Sequence, residues 1–247
     1  RARLWLLPVM LAAAGLCCCD NLRIGTTYTT LRCAGLPEAF SGLRIVQISD
    51  LHGRMFGEGH SRLLRAVRRA QPDVIALTGD LADEYTALPT LHPLLAGLTG
   101  IAPVFYVTGN HEWVMPPETR QVLFGLLERY GVIRLKNDYR VLNRAGEQLV
   151  LLGVDDPNGP ADQKTAPALV REVRAACGED AFLLALCHRN DQLPLWAGLG
   201  VQVVLSGHAH GGIVRLPGLG GVFGTHYEFF PGDEAGLYRQ GGTQLYV

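Results

Sequence analysis

Residues 44–52 read Arg-Ile-Val-Gln-Ile-Ser-Asp-Leu-His, an aliphatic, β-branched run that closes on Asp50 and His52. Ile45, Val46 and Ile48 suit a strand, and the two polar residues stand where that strand would finish. The same construction recurs along the chain. Residues 74–78 run into Gly79-Asp80, residues 104–108 into Gly109-Asn110-His111-Glu112, residues 182–187 into His188, and residues 201–206 into Gly207-His208-Ala209-His210. Strands that each end in Asp, Asn or His deliver those groups to one carboxyl edge of a sheet, where α/β proteins build their sites.

The residue types specify the chemistry. Mixed carboxylate and imidazole donors suit borderline divalent ions such as Mn, Fe and Zn, whereas an all-oxygen set suits Mg or Ca. Two ions about 3.5–4 Å apart need a bridging ligand and activate one water between them. Asp80 is the natural bridge, because a carboxylate has two oxygens and Asp80 lies between the other clusters in chain order. Asn110 offers a neutral carbonyl oxygen. His111, one residue on, points elsewhere and is a candidate to act on the substrate, by stabilising charge on a transferring phosphoryl group or protonating the leaving oxygen.

On these clusters the chain resembles the calcineurin-like metallophosphoesterase superfamily. That pattern, D-x-H, G-D, G-N-H-[ED], H and G-H-x-H, is met here as ISDLH (48–52), LTGDLAD (77–83), VTGNHE (107–112), LCHRND (186–191) and SGHAHGG (206–212). The resemblance implies that Asp50, His52 and His210 hold one ion, and Asn110, His188 and His208 a second, with Asp80 bridging and His111 catalytic. It runs from about Leu43 to the last residue, so a catalytic domain is expected over residues 43–247. It also implies a four-layer αββα sandwich of two mixed sheets flanked by helices. Relatives continue with a further turn and strand, so the sequence reads as truncated after Val247. Within the superfamily, the stretches LPEAFSGLRIVQISDLH (36–52), GVDDP (153–157), GHAHGG with RLP behind it, and AGLYRQGGTQLYV (235–247) resemble the bacterial membrane- and envelope-associated branch. That branch includes relatives of UDP-2,3-diacylglucosamine hydrolases, which implies a lipid- or wall-linked phosphate or diphosphate as substrate. Two departures bear on substrate preference and remove no ligand: Ile213 stands where Gln is usual, and His188-Arg189-Asn190 replaces H-x-P. The alternatives are a phosphodiesterase or phosphomonoesterase of soluble substrates, and a metal-bound scaffold without turnover. Such scaffolds typically lose ligands or the catalytic histidine, and this chain retains both.

Composition sets outer bounds. The 247 residues suffice for one large domain, 48% are apolar, and a net charge of −1 gives no general attraction to nucleic acid or an anionic surface. The six cysteines do not form a disulfide framework, since three are consecutive at 17–19 and Cys33, Cys177 and Cys187 are scattered. Cys187 is expected to face away from His188, into the core. His60, His92 and His226 read as surface or satisfied side chains. Arg1 and Arg3 precede an apolar stretch at residues 4–19, broken by Pro8. This reads either as a membrane anchor or as a secretory signal with a small-residue cleavage site at residues 12–14, and both place the enzyme outside the cytoplasm.

The remaining pattern predicts segments at residues 1–20 (anchor or signal) and 21–42 (a Thr-rich lead-in with a short strand at 28–31). Helices are expected at 60–70, within 90–98, from 116–117 through 129, and at 168–177. From residue 132 short strands at 132–135, 139–143 and 149–154 suggest a second sheet, with Ala145-Gly146 as a hairpin turn. Residues 213–216, 236–238 and 243–247 are expected to continue it. Five aromatics follow the last histidine pair, and Phe229 and Phe230 are candidates to line an apolar groove for an acyl or prenyl chain, against the plainer reading that they pack as core.

Overall fold

The apolar runs become two facing sheets in the computed structural model, which describes residues 23–216, 220–225 and 227–247, with Pro8, Leu11 and Gly15 besides. The first sheet holds β1 (Ile45–Ile48), β2 (Val74–Thr78), β3 (Val104–Val107) and β4 (Ile133–Arg134), parallel throughout and in that order. Every residue of β2 and β3 is buried. A parallel strand covered on both faces reads as an unbroken apolar run, which is how these two appear in the sequence.

The second sheet is mixed. Its hairpin strands β5 (Asp138–Arg144) and β6 (Glu147–Gly153) are antiparallel. Beside β6 lie β7 (Leu183–Leu186) and β8 (Val203–Leu205), both parallel to it. The chain passes next through a separate two-stranded ribbon, β9 (Val214–Leu216) with β10 (Gly220–Phe223). It returns with β11 (Leu237–Gln240) and β12 (Thr243–Tyr246), giving the order β11-β12-β8-β7-β6-β5. Ala145 and Gly146 both take positive φ (49° and 85°), as a tight hairpin turn requires.

Three apolar layers hold the sandwich together. The helices α1 (Ser61–Ala70), α2 (Leu91–Thr99) and α4 (Pro117–Arg129) cover the first sheet, and the five-residue α3 (Asn110–Val114) precedes α4. On the far side, α5 (Ala166–Cys177) and α6 (Leu193–Gly198) cover the second sheet, with Trp196 fully buried. Between the sheets, Val74, Ala76, Phe105 and Val107 meet Leu149, Leu151, Leu184 and Leu205. The alternation of a strand explains the division: Ile75 and Leu77 of β2 face the helices, while Val74 and Ala76 face the other sheet. This is the expected αββα architecture.

Several local expectations are corrected. Residues 28–31 form no strand. Their threonines have no apolar face to bury, and the lead-in is tied by side chains instead, through Thr29 Oγ1 to Tyr246 OH (3.2 Å) and Gln244 Nε2 to Arg32 O (3.0 Å). The strand near residue 132 joins the first sheet as β4, because α4 is a crossover that returns the chain parallel beside β3; the first sheet is therefore wholly parallel. Residues 213–216 do not extend the second sheet. All three residues of β9 are exposed, so nothing draws them onto a core. The helices α3 and α6 are too short to have shown a period in the sequence. The apolar stretch at residues 4–19 (apart from Pro8, Leu11 and Gly15) and His226 lie outside the described residues. Among the described residues no helix is long and apolar enough to cross a membrane.

A test of the inter-sheet packing follows from Gly153 in β6. A Cβ there would lie 2.1 Å from Leu135 Cβ and 2.9 Å from Val107 Cγ1, whereas at Gly125 in α4 nothing lies within 4 Å. Gly153→Ala is expected to cost about 1–3 kcal/mol by overpacking. Gly125→Ala is expected to stabilise by about 0.5–1 kcal/mol, the helical preference for Ala over Gly. Urea titrations should show the two midpoints moving in opposite directions with unchanged slope.

Candidate metal centre

Both sheets supply the centre from the carboxyl ends of their strands. Asp50 and His52 follow β1, Asp80 follows β2, Asn110 and His111 open α3 after β3, His188 follows β7, and His208 and His210 follow β8. Asp50, His52, Asp80, His208 and His210 all take positive φ (54°, 48°, 50°, 69° and 53°). Left-handed backbone at a non-glycine residue costs of order 1–3 kcal/mol and persists only where its surroundings impose it. Here the loops are cross-tied: Asp50 N donates to Gly79 O (3.1 Å), His52 N to Asp80 O (2.9 Å), Gly207 N to His188 O (3.0 Å), and His208 N to both carboxylate oxygens of Asp50 (3.1 and 3.0 Å). Glycine is required at Gly109, where a Cβ would lie 2.2 Å from Asp80 Oδ1.

The seven residues expected as ligands are brought together. Asp50, His52, Asp80 and His210 place one ligand atom each within 4.8 Å of one another, as do Asp80, His188 and His208. Asp80 belongs to both groups. Its Oδ1 accepts from His111 N at 2.9 Å, and its buried Oδ2 lies 3.2 Å from His188 Nε2 and 3.7 Å from His52 Nε2 without a hydrogen bond of good geometry. Asn110 Oδ1 is 3.1 Å from His188 Nε2, and His210 Nε2 is 3.3 Å from Asp50 Oδ1. His210 Nε2 and His52 Nε2 face each other at 3.4 Å. Unprotonated, two such lone pairs repel, so the arrangement calls for positive charge between them. The bare carboxylate oxygen and the facing imidazoles fit divalent cations.

Neighbouring groups orient the imidazoles. Thr78 O can only accept, so His188 Nδ1 donates to it (2.8 Å) and turns its Nε2 lone pair toward the centre. His52 Nδ1 faces Asp83 Oδ2 at 3.6 Å. Burial works against the charge on Asp80, yet the close approach and charge of a protonated His188 outweigh it and hold the carboxyl below its ordinary range. The same contact raises His188 above its ordinary value against the effect of its own burial.

His111 occupies the mouth. Its side chain is 37% exposed, its ring stands edge-on to His52 with centroids 4.7 Å apart, and its Nδ1 lies 3.8 Å from Glu84 Oε2. Phe229 and Phe230 are outside the ligand cluster and exposed, which removes the core reading for them. Cys187 packs among the second sheet's helix-facing residues, where burial pushes its thiol up to about 12. His60 is fully buried with Nε2 3.2 Å from Thr90 O, and His92 Nδ1 lies 2.9 Å from Tyr130 OH.

Sequence reasoning passed over three supports. Glu112, fully buried, accepts from Gly109 N (2.7 Å), Asp80 N (3.0 Å) and Ala82 N (3.2 Å), stitching the loops after β2 and β3. Burial first, and then the charge of Asp80, pushes its carboxyl up to about 7. Asp155 caps Thr108 N (2.9 Å) and pairs with Arg134 (3.1 Å). Buried Asp156 accepts from Arg189 Nε (2.6 Å) and Nη2 (3.3 Å), while Arg189 Nη1 reaches His208 Nε2 at 2.9 Å. The adjacent acids Asp155-Asp156 straight after an apolar strand were the available signal, since two carboxylates in such a place need cationic or amide partners.

Comparison with known proteins agrees with this geometry. The profile of the family described as calcineurin-like phosphoesterase matches residues 43–212. The chain is 28% identical over 232 residues to "Uncharacterized metallophosphoesterase YkuE" of Bacillus subtilis, covering 91% of this chain and 77% of that protein. It is 27% identical over 203 residues to "Phosphodiesterase YaeI" of Escherichia coli, covering 78% and 69% respectively. The crystal structure of TT1561 of Thermus thermophilus shares the fold, with a TM-score of 0.53 at 14% identity over 83% of this chain and 88% of that one.

Glu112 gives the metal-free protein a pH signature. Its carboxyl titrates at about 7 in the fold against an ordinary 4.5. Between those values the folded state keeps a proton that the unfolded state has lost, so stability falls as pH rises through that window. His188, raised above its ordinary 6.5, extends the fall past neutrality. Relative to Glu112→Gln, the urea midpoint of the chelator-treated protein is expected to drop between about pH 5 and about pH 7. The comparison sets aside His52 and His60, which burial lowers and which act in the opposite direction. Glu112→Gln should flatten this dependence and lower the midpoint throughout, because an amide cannot accept all three backbone N–H groups.

Proposed function

The chain belongs to the calcineurin-like phosphoesterase family, and from that premise we propose that it works as a dinuclear enzyme. As a member of the family it is a metal-dependent phosphoesterase, a hydrolase of a phosphorylated substrate. In this reading Asp50, His52 and His210 hold one divalent ion and Asn110, His188 and His208 a second, with Asp80 shared. Mn, Fe and Zn suit the donor set. Such a pair supplies an acidified water and positive charge for phosphate oxygens. The observation that carries the proposal is Asp80, which belongs to both ligand groups and whose buried Oδ2 is free of good hydrogen bonds.

The protein's own groups do the rest. Glu112 and the backbone N–H of His111 fix Asp80, so its charge is aimed before substrate arrives. The His111 ring, at the mouth with Nδ1 toward Glu84, is placed to donate a proton to the leaving oxygen or to steady the phosphoryl charge. Arg189, held by Asp156 next to His208, adds fixed positive charge beside the second ligand group.

For substrate, we infer an envelope lipid- or wall-linked phosphate or diphosphate, hydrolysed outside the cytoplasm by a catalytic domain at residues 43–247. The apolar stretch at residues 4–19 behind Arg1 and Arg3 supports that placement, and so do the exposed apolar side chains soon after His210. The second reading is a phosphodiesterase or phosphomonoesterase of soluble substrates, and the relative named a phosphodiesterase supports a phosphodiester as the bond cleaved.

Metal analysis after Mn reconstitution is expected to find about two ions per chain, and chelation to abolish activity. Asp80→Ala should be the most damaging ligand change. His111→Ala should retain both ions and lose on the order of 10²–10⁴ in turnover; an undiminished rate would remove His111 from the chemistry. Only trace metal after reconstitution would overturn the dinuclear assignment. A panel of phosphomonoesters, phosphodiesters and lipid diphosphates separates the two substrate readings, and protease accessibility on intact cells tests the placement.

A further inference from the structure

The described residues of the stretch 213–230 turn six large apolar side chains to solvent: Ile213 (57% exposed), Val214 (47%), Leu216 (44%), Tyr227 (82%), Phe229 (73%) and Phe230 (68%). Elsewhere among the described residues, exposed large apolar side chains are scattered singly from Leu11 to Leu195. Single ones are ordinary on any surface, but a concentration marks a contact surface.

The display is built rather than frayed. β9 pairs with β10, Phe223 bridges to Phe229, Phe230 N donates to Val222 O (3.0 Å), and Gly221 N donates to Glu234 Oε1 (2.7 Å). The Phe223 ring meets those of Phe229 and Tyr227 edge-on, with centroids 5.4 and 6.2 Å apart. Tyr227 and Phe230 stand at φ 62° and 54°, a region that bulky residues avoid. This backbone spends strain on holding aromatic rings out in water, the opposite of core packing.

We propose that this ribbon and the loop behind it seat in the interfacial layer of a lipid bilayer and set the mouth of the metal centre on the membrane surface. Two separate ties to the centre lead to a bilayer as occupant. Val214 is four residues beyond His210, so the ribbon begins within about 14 Å of a ligand at 3.3–3.6 Å per residue. The lead-in runs toward the same end: Gln244 Nε2 holds Arg32 O (3.0 Å) and Thr29 Oγ1 reaches the OH of Tyr246 (3.2 Å), at the carboxyl end of β12, which is parallel to β8. The apolar stretch of the sequence ends at Cys19, five residues before Ile24, a span of at most about 18 Å. A bilayer holding that stretch therefore lies at the end of the molecule where the ribbon projects. The composition also matches, since aliphatic and aromatic groups enter the acyl boundary while Tyr227 and Arg215 keep polar tips in the headgroups. The inference deepens the lipid-linked reading: a phosphate fixed in a leaflet meets the centre sideways, with Phe229 and Phe230 against bulk lipid rather than around one chain in a groove.

The test uses the full chain reconstituted in phosphatidylethanolamine–phosphatidylglycerol vesicles, with and without brominated acyl chains. Phe230→Trp, Ile213→Trp and, as a reference on α4, Val122→Trp are compared with the unsubstituted chain, whose own tryptophan emission is subtracted. The emission added by Phe230→Trp and Ile213→Trp is expected to fall by more than half in brominated vesicles, and that added by Val122→Trp to stay unchanged. Emission untouched by bromine overturns docking in either form: with free quenching by acrylamide the surface faces water, and with none a second copy or another protein covers it. Hydrolysis of bis(p-nitrophenyl) phosphate by the unsubstituted chain reports the metal chemistry alone. Its loss would sink the dinuclear reading, while its survival without bromine quenching would sink only the docking.

Discussion

Asp80 has to remain an anion in a place where water scarcely reaches it, and the architecture of the centre follows from that constraint. One oxygen is occupied by the backbone N–H of His111. The other is left facing His188 and His52. Burial alone would protonate such a group. The chain counters with His188, itself locked by Thr78 O, and with the loop geometry imposed by Glu112. A carboxylate so held stays ionised inside the fold and is ready for a cation.

Holding that geometry demands backbone that most residues refuse. Five of the candidate ligand residues lie in the left-handed region, at a cumulative cost comparable to much of the stability of an ordinary domain. The sandwich supplies the rigidity: three apolar layers fix ten strands, and the loops at their carboxyl ends are bonded to one another across both sheets, as where His208 N meets Asp50. Glycines at 109 and 207 let those loops approach closer than any side chain permits. Strain at the centre is thus balanced by packing several residues away, the usual division between a site and its scaffold.

Outside the centre the chain shows its individual character. Arg189 is seized by Asp156 and brought against His208, giving this chain a charged neighbour at the second ligand group. The ribbon after His210 presents apolar side chains where a core-building strand was expected. Both features sit at the rim of the centre rather than among its candidate ligands.

The sequence by itself determined the candidate ligands and the strands that carry them. Buried parallel strands must be continuous apolar runs, and a ligand at the end of each needs no partner to be recognised. It also announced the Ala145-Gly146 turn and the helices with long apolar periods, since these rest on contacts within a few residues. What lay beyond it depended on groups distant in the chain. Glu112 acts on Asp80, 32 residues away, and Arg189 on Asp156, 33 away. The sheet joined by β4 was decided by the crossover of α4, not by the two residues of the strand. Whether Phe229 and Phe230 face lipid, groove or core is a question of what the fold leaves uncovered. Side-chain type records a preference for burial, and only the tertiary structure decides which apolar groups find cover, because burial is a property of the whole surface and not of any one segment.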